Sequence, residues 1–111
     1  MSEKFKTFQR WTEESVGTHY CGSIDTTYTA LLTVFGKPIE SSVDAKVRAE
    51  WHIQFTDGVF VTIYDYKAYG RPVEEVVDWH IRGRDNSQDV VNHIVTAMLA
   101  QQQDVKVRDV W

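Results

Sequence analysis

The strongest pattern in the chain is the strict alternation over residues 43–55. Val43, Ala45, Val47, Ala49, Trp51, Ile53 and Phe55 are apolar, while Asp44, Lys46, Arg48, Glu50, His52 and Gln54 are polar. Period-two alternation of this length predicts a strand with one buried and one solvated face. Thr56-Asp57-Gly58 then turns the chain into a second strand over 59–67. A two-residue loop would set Glu50 against Asp65 and Arg48 against Lys67, opposing like charges. A three-residue loop with Gly58 in the left-handed region pairs Phe55 with Val59, Ile53 with Val61 and Trp51 with Ile63. That register gathers the aliphatic residues on one face and is the one expected.

Two helices are expected on the apolar face. Tyr28, Leu31, Leu32 and Phe35 recur at helical spacing after Asp25 and Thr26, with Gly36 and Pro38 as stop signals, which gives a helix over about 26–35. Asn86 or Ser87 caps a second helix, whose stripe is Val90, Val91, Ile94, Val95, Met98 and Leu99, with His93 at its edge. A short strand is read within 17–24. After a loop at 68–75, a third strand directs Val77, Trp79 and Ile81 inward, and Val105 and Val107 suggest a last one. Phe5, Phe8 and Trp11 fit either a helical stripe or an irregular arm over 1–16. The expected fold is a single α+β domain over 1–111. It is an antiparallel β-meander of three to five strands, with two helices packed on its apolar face.

Composition narrows the classes. The chain has 111 residues, 42% apolar and 25% charged, with a net charge of −4. One domain fits this length. The acidity argues against general nucleic-acid binding, which needs a surplus of Lys and Arg. No apolar run reaches a membrane span and Met1-Ser2-Glu3-Lys4 lacks an apolar secretion segment, so a cytoplasmic location is expected. Cys21 is the sole cysteine, which rules out an internal disulfide and reads as a small buried hydrophobe. No catalytic residue, metal or cofactor is assigned.

The candidate chemistry lies on the polar face of the sheet. The expected register sets His52 opposite Thr62, Glu50 opposite Tyr64 and Arg48 opposite Tyr66, and the third strand adds Asp78, His80 and Arg82. Tyr64 and Tyr66 with Lys46, Arg48, His52, His80 and Arg82 form a candidate binding surface for a small anionic, nucleotide-like ligand, by ring stacking and cation pairing. Plainer readings of that face are cross-strand stabilisation, or burial under the N-terminal arm or another subunit. Glu50-Trp51-His52-Ile53 and Asp78-Trp79-His80-Ile81 are two copies of an acid-Trp-His-Ile tetrapeptide. With one strand between them, the histidines stand roughly 10 Å apart, too far to share a metal.

The series Gly22-Ser23-Ile24-Asp25, Phe35-Gly36-Lys37-Pro38, Glu50-Trp51-His52-Ile53, Asp57-Gly58, Thr62-Ile63-Tyr64-Asp65-Tyr66-Lys67 and Trp79-His80-Ile81 resembles small bacteriophage-encoded proteins of unassigned function. The resemblance covers about residues 18–100. Such proteins often carry Gly-Gly after Trp-His-Ile; Arg82-Gly83 stands here, which puts close backbone approach in doubt. The resemblance implies an accessory, anti-defence factor that sequesters a nucleotide-like ligand or blocks a host defence protein, and it transfers no site residue. The expected function is therefore non-enzymatic binding. Two alternatives stand beside it: a small hydrolase using His52 or His80 as general base, and a structural or oligomerisation module. A homodimer, extended through the last strand, is a further expectation.

Overall fold

The computed structural model describes residues 4–10, 13, 16–39, 49–66 and 71–111. These form six strands, β1 (Phe5–Thr7), β2 (His19–Asp25), β3 (Glu50–Phe55), β4 (Phe60–Tyr64), β5 (Asp78–Gly83) and β6 (Lys106–Val110). Two helices, α1 (Tyr28–Phe35) and α2 (Ser87–Ala100), complete the α+β fold. All pairings are antiparallel, in the order β1-β3-β4-β5-β2-β6.

The hairpin register agrees with the expected one. Glu50 pairs with Tyr64, Trp51 with Ile63, His52 with Thr62 and Ile53 with Val61. Gly58 takes φ 96°, and the Phe55 N–H donates to the Val59 carbonyl at 2.9 Å. The strands exceed the expected number, and a simple meander holds only for β3-β4-β5. β2, from the N-terminal part, inserts between β5 and β6, while β1 adds to the far edge. Phe5 and Phe8 therefore belong to an edge strand and its extension rather than to a helix. Trp11 and residues 43–48, including Lys46 and Arg48, lie outside the described residues.

Both helices lie against the apolar sheet face. Thr27, one residue past the expected caps, accepts the Ala30 N–H at 3.0 Å to start α1, and Gly36 at φ 77° ends it. Asn86 caps α2 through the N–H groups of Gln88 and Asp89. Two residues assigned inward are exposed, Val77 and Leu99. Val77 precedes β5 and donates no side chain to its inner row, while Ala97 takes the buried place on the last turn of α2 beside Met98.

Trp51 and Trp79 fix α1 to the sheet. Their rings meet at 5.5 Å and an interplanar angle of 72°, and Tyr28 of α1 packs on both. The Trp51 indole N–H donates to the Gly36 carbonyl at 2.8 Å, and that of Trp79 to the Thr26 carbonyl at 3.1 Å. One indole thus bonds each end of α1. Burial of each ring removes on the order of 200 Å² from water, a gross stabilisation of about 5 kcal/mol.

Two glycines set the approach of neighbouring elements. A Cβ on Gly22 would stand 2.3 Å from the Asp109 carbonyl oxygen of β6, and one on Gly83 would stand 2.9 Å from both Val90 methyls of α2. Close approach after Trp-His-Ile is therefore supplied by Gly83, while Arg82 points to the opposite face. Gly22→Ala and Gly83→Ala should each destabilise the fold by about 1–3 kcal/mol, the usual cost of overpacking. The change is read as a lower urea midpoint with unchanged slope, and Gly22→Ala is expected to be the worse because backbone, not a side chain, must move.

Candidate functional site

On the sheet face away from the helices, cross-strand registry arranges side chains in rows. Glu50, Tyr64, His80, Ser23 and Asp109 form one row across β3, β4, β5, β2 and β6. His52, Thr62, Arg82 and Tyr20 form the next. The acid-Trp-His-Ile copies are thus one strand pattern used on both sides of β4, with each Trp in the core and each His on the outer face.

The outer face is not uniformly wet. His52 is fully buried, and Phe60 and Thr62 are nearly so. The Phe60 ring meets His52 edge-on at 5.8 Å and Phe8 at 6.2 Å, with the Arg84 guanidinium 5.9 Å from its centroid. Alternation correctly put these residues on the face opposite the core, but rings from the N-terminal segment and from β4 itself close over them. His52 bonds Glu50 through Nε2, with the imidazole fully buried and the Glu50 side chain half-buried. Asp65 is also buried; its Oδ1 accepts the Ala49 N–H at 2.8 Å, tying the end of β4 to the start of β3. Sequence reasoning gave Asp65 no role, although the expected register already sets it opposite Ala49 on the apolar face, where a carboxylate needs a donor.

The other half of the face is open and aromatic. The rings of Tyr20, Tyr64 and Tyr66 surround His80 at 5.2, 5.5 and 5.4 Å, and Tyr66 lies nearly parallel to it, at 30°. Tyr64 and Tyr66 meet each other at a right angle, 6.2 Å apart. His80 is half-buried, and its contacts among the described residues are with rings, leaving its nitrogens without a hydrogen bond. Burial pushes the phenols of Tyr20 and Tyr64 above their ordinary pKa; the Arg82 guanidinium opposes this at Tyr64. Tyr20, read from the sequence only as part of the short strand within 17–24, enters the cluster because β2 lies beside β5. Of the predicted set, the structure brings together Tyr64, Tyr66, His80 and Arg82, separates off the enclosed His52, and does not describe Lys46 and Arg48.

The charges around this cluster are unequally committed. Glu50 bonds His52, and Asp109 accepts the Tyr20 hydroxyl at 3.1 Å. Asp25 accepts from Arg108 at 2.9 Å, and Asp78 stands 3.6 Å from the same guanidinium through one oxygen. Arg82 is different. One of its nitrogens donates to the Thr18 carbonyl at 2.9 Å, and it makes no ion pair among the described residues. Among the described residues Glu50, Asp109 and Asp25 each hold a hydrogen bond within the fold, Asp78 meets Arg108 through one oxygen and leaves Oδ1 without a partner, and Arg82 makes no ion pair.

No family model matches the chain, and the comparison with curated proteins returns no match. The chemistry of the site therefore has to be read from its residues. Among those described, no group of three His, Cys, Asp or Glu is placed to hold a metal, and no helix is long and apolar enough to cross a membrane. A depression of about 610 Å³ lies at the start of α2 beside His19, Arg84 and Trp111. It is a poor anion seat, because Asn86 already occupies the N–H groups there and Asp85 and Asp89 add negative charge.

The buried Tyr64 phenol gives a direct check on this environment. Its folded pKa lies above its unfolded value, so its contribution to stability is complete below about pH 10 and is lost as pH rises through the folded value. In an alkaline titration followed by phenolate absorbance, Tyr64→Phe should remove a late-ionising step. Removal of a step at the ordinary tyrosine value would contradict the burial described.

Proposed function

We propose that the protein is a non-enzymatic binding protein whose outer-face cluster of Tyr20, Tyr64, Tyr66, His80 and Arg82 holds a small planar anion of nucleotide type. One observation carries the reading: among the described residues Arg82 is an exposed charge beside the rings without an ion-pair partner, while Glu50, Asp109 and Asp25 hold hydrogen bonds within the fold. A ring stacks on Tyr64 or Tyr66, and a phosphate or carboxylate takes the remaining guanidinium donors. The His80 nitrogens supply a hydrogen bond that can select among ligands. The Lys46 and Arg48 positions lie just ahead of β3 in sequence, outside the described residues. An accessory, anti-defence role by ligand sequestration in a host cytoplasm is what the resemblance to small phage-encoded proteins adds, and it rests on that resemblance alone. A blocked host protein or a second copy of the chain would occupy the same exposed rings.

The hydrolase alternative centres on His80, because His52 is enclosed and engaged by Glu50. Histidine as a general base needs a partner that orients it or a substrate within hydrogen-bond reach; the contacts of His80 are with rings.

Titration calorimetry with adenosine, guanosine, cytidine and uridine monophosphates, and with the matching nucleosides, tests the reading. At least one monophosphate should bind saturably, with the nucleoside weaker. Arg82→Ala and Tyr64→Ala should each reduce affinity by about tenfold or more, the scale of one charge-assisted contact or one stacked ring. Recovery of intact ligand supports sequestration. Binding that is indifferent to both substitutions, or no binding of any monophosphate, would overturn this assignment, and turnover of excess ligand would favour the hydrolase.

A further inference from the structure

A second histidine carries a different piece of chemistry, at the tip of the β3–β4 hairpin. His93, within α2, places Nδ1 2.6 Å from the Asp89 carbonyl oxygen and Nε2 2.6 Å from Asp57 Oδ2. Both partners are acceptors only: a backbone carbonyl, and a carboxylate held below the usual range first by this hydrogen bond to His93 and then by the Val59 N–H. A neutral imidazole has one N–H. It can satisfy one of these oxygens and must turn a lone pair toward the other at contact distance. Imidazolium donates to both. The ring has little room to avoid the choice, since it packs edge-on to Phe55 at 4.9 Å and its side chain is only 15% exposed.

We propose that His93 is a proton-operated latch tying the Thr56-Asp57-Gly58 turn to α2, closed while its ring is imidazolium and open when the ring loses a proton. Among the described residues Asp57 of the turn faces the ring with its carboxylate, and Asp89 of the first turn of α2 faces it with its carbonyl and adds an acid to that turn; the Thr56 N–H donates to the Lys4 carbonyl beside them. The window follows from the two partners. As pH falls through the depressed Asp57 value, the carboxylate is protonated and the ion pair is lost; as pH rises through the His93 titration, one of the two donors is lost. The latch is closed between these limits. The Thr56–Lys4 backbone bond does not titrate and keeps the turn tethered to β1 on either side of the window.

The test is a side-chain nitrogen NMR titration of the intact protein, together with the backbone amides of residues 56–58. At neutral pH both His93 nitrogens should read as protonated, and the amides of Asp57 and Gly58 should shift on the same titration as the ring. In Asp57→Asn the His93 midpoint should fall. A singly protonated His93 at neutral pH, a midpoint unmoved by Asp57→Asn, or turn amides indifferent to the ring would each overturn the latch. The wild-type titration alone decides the first and third of these, should the variant fold poorly.

Discussion

The structure depends on the pair of indoles in which β3 and β5 meet beneath α1. A helix of eight residues is too short to be stable by itself, because nucleation is costly and few hydrogen bonds repay it. Trp51 and Trp79 supply what α1 lacks: a continuous apolar seat shared with Tyr28, and an N–H donor for a backbone carbonyl at each end. Because both residues sit in strands that flank β4, docking α1 also fixes the registers of β3 and β5 relative to each other. Alternation then determines the opposite face. With each Trp turned inward, its two sequence neighbours must face outward, which places Glu50 and His52 on one side of β4 and Asp78 and His80 on the other.

The two histidines of this repeated pattern end in contrasting environments through what lies above them. Phe8 and Phe60 close over His52, whose polarity is then met inside the protein by Glu50. Burying such a pair is tolerable only with good hydrogen bonding, and removing one partner alone leaves an uncompensated polar group. Over His80 there are tyrosine rings and, among the described residues, no hydrogen-bonding partner. The net charge of −4 is misleading at this spot. The nearby acids are spent on His52, Tyr20 and Arg108, so the chemistry on offer is aromatic and cationic.

Much of the hairpin was legible in the sequence, because alternation and like-charge avoidance act on neighbours along the chain. The register of β3 with β4, the left-handed Gly58 and the Asn86 cap all follow from local rules. The insertion of β2 between β5 and β6 does not, since it depends on Gly22 and Gly83 allowing β6 and α2 to come close, and neither glycine announces its neighbour. Which outer-face residues are wet was equally hidden, being decided by Phe8 and Arg84, which are remote from β3 in sequence. The polar alternation that revealed His52 also made it look exposed. Tyr20 and the His93–Asp57 contact are long-range in the same sense, although an Asp-Gly turn near a histidine on the rim of a helix stripe is a pattern worth testing elsewhere.

The claim that matters most is that the open rings are a working surface rather than a self-sufficient packing cluster. The most direct measurement is mass spectrometry of the small molecules released on heating after the folded protein has been passed through cell lysate and washed. Wild-type protein should release one aromatic anion, chemically unaltered and near stoichiometric with the chain, while protein carrying Tyr64→Ala, Tyr66→Ala and Arg82→Ala together releases none. Equal release from both proteins, or none from the wild type, would contradict the account.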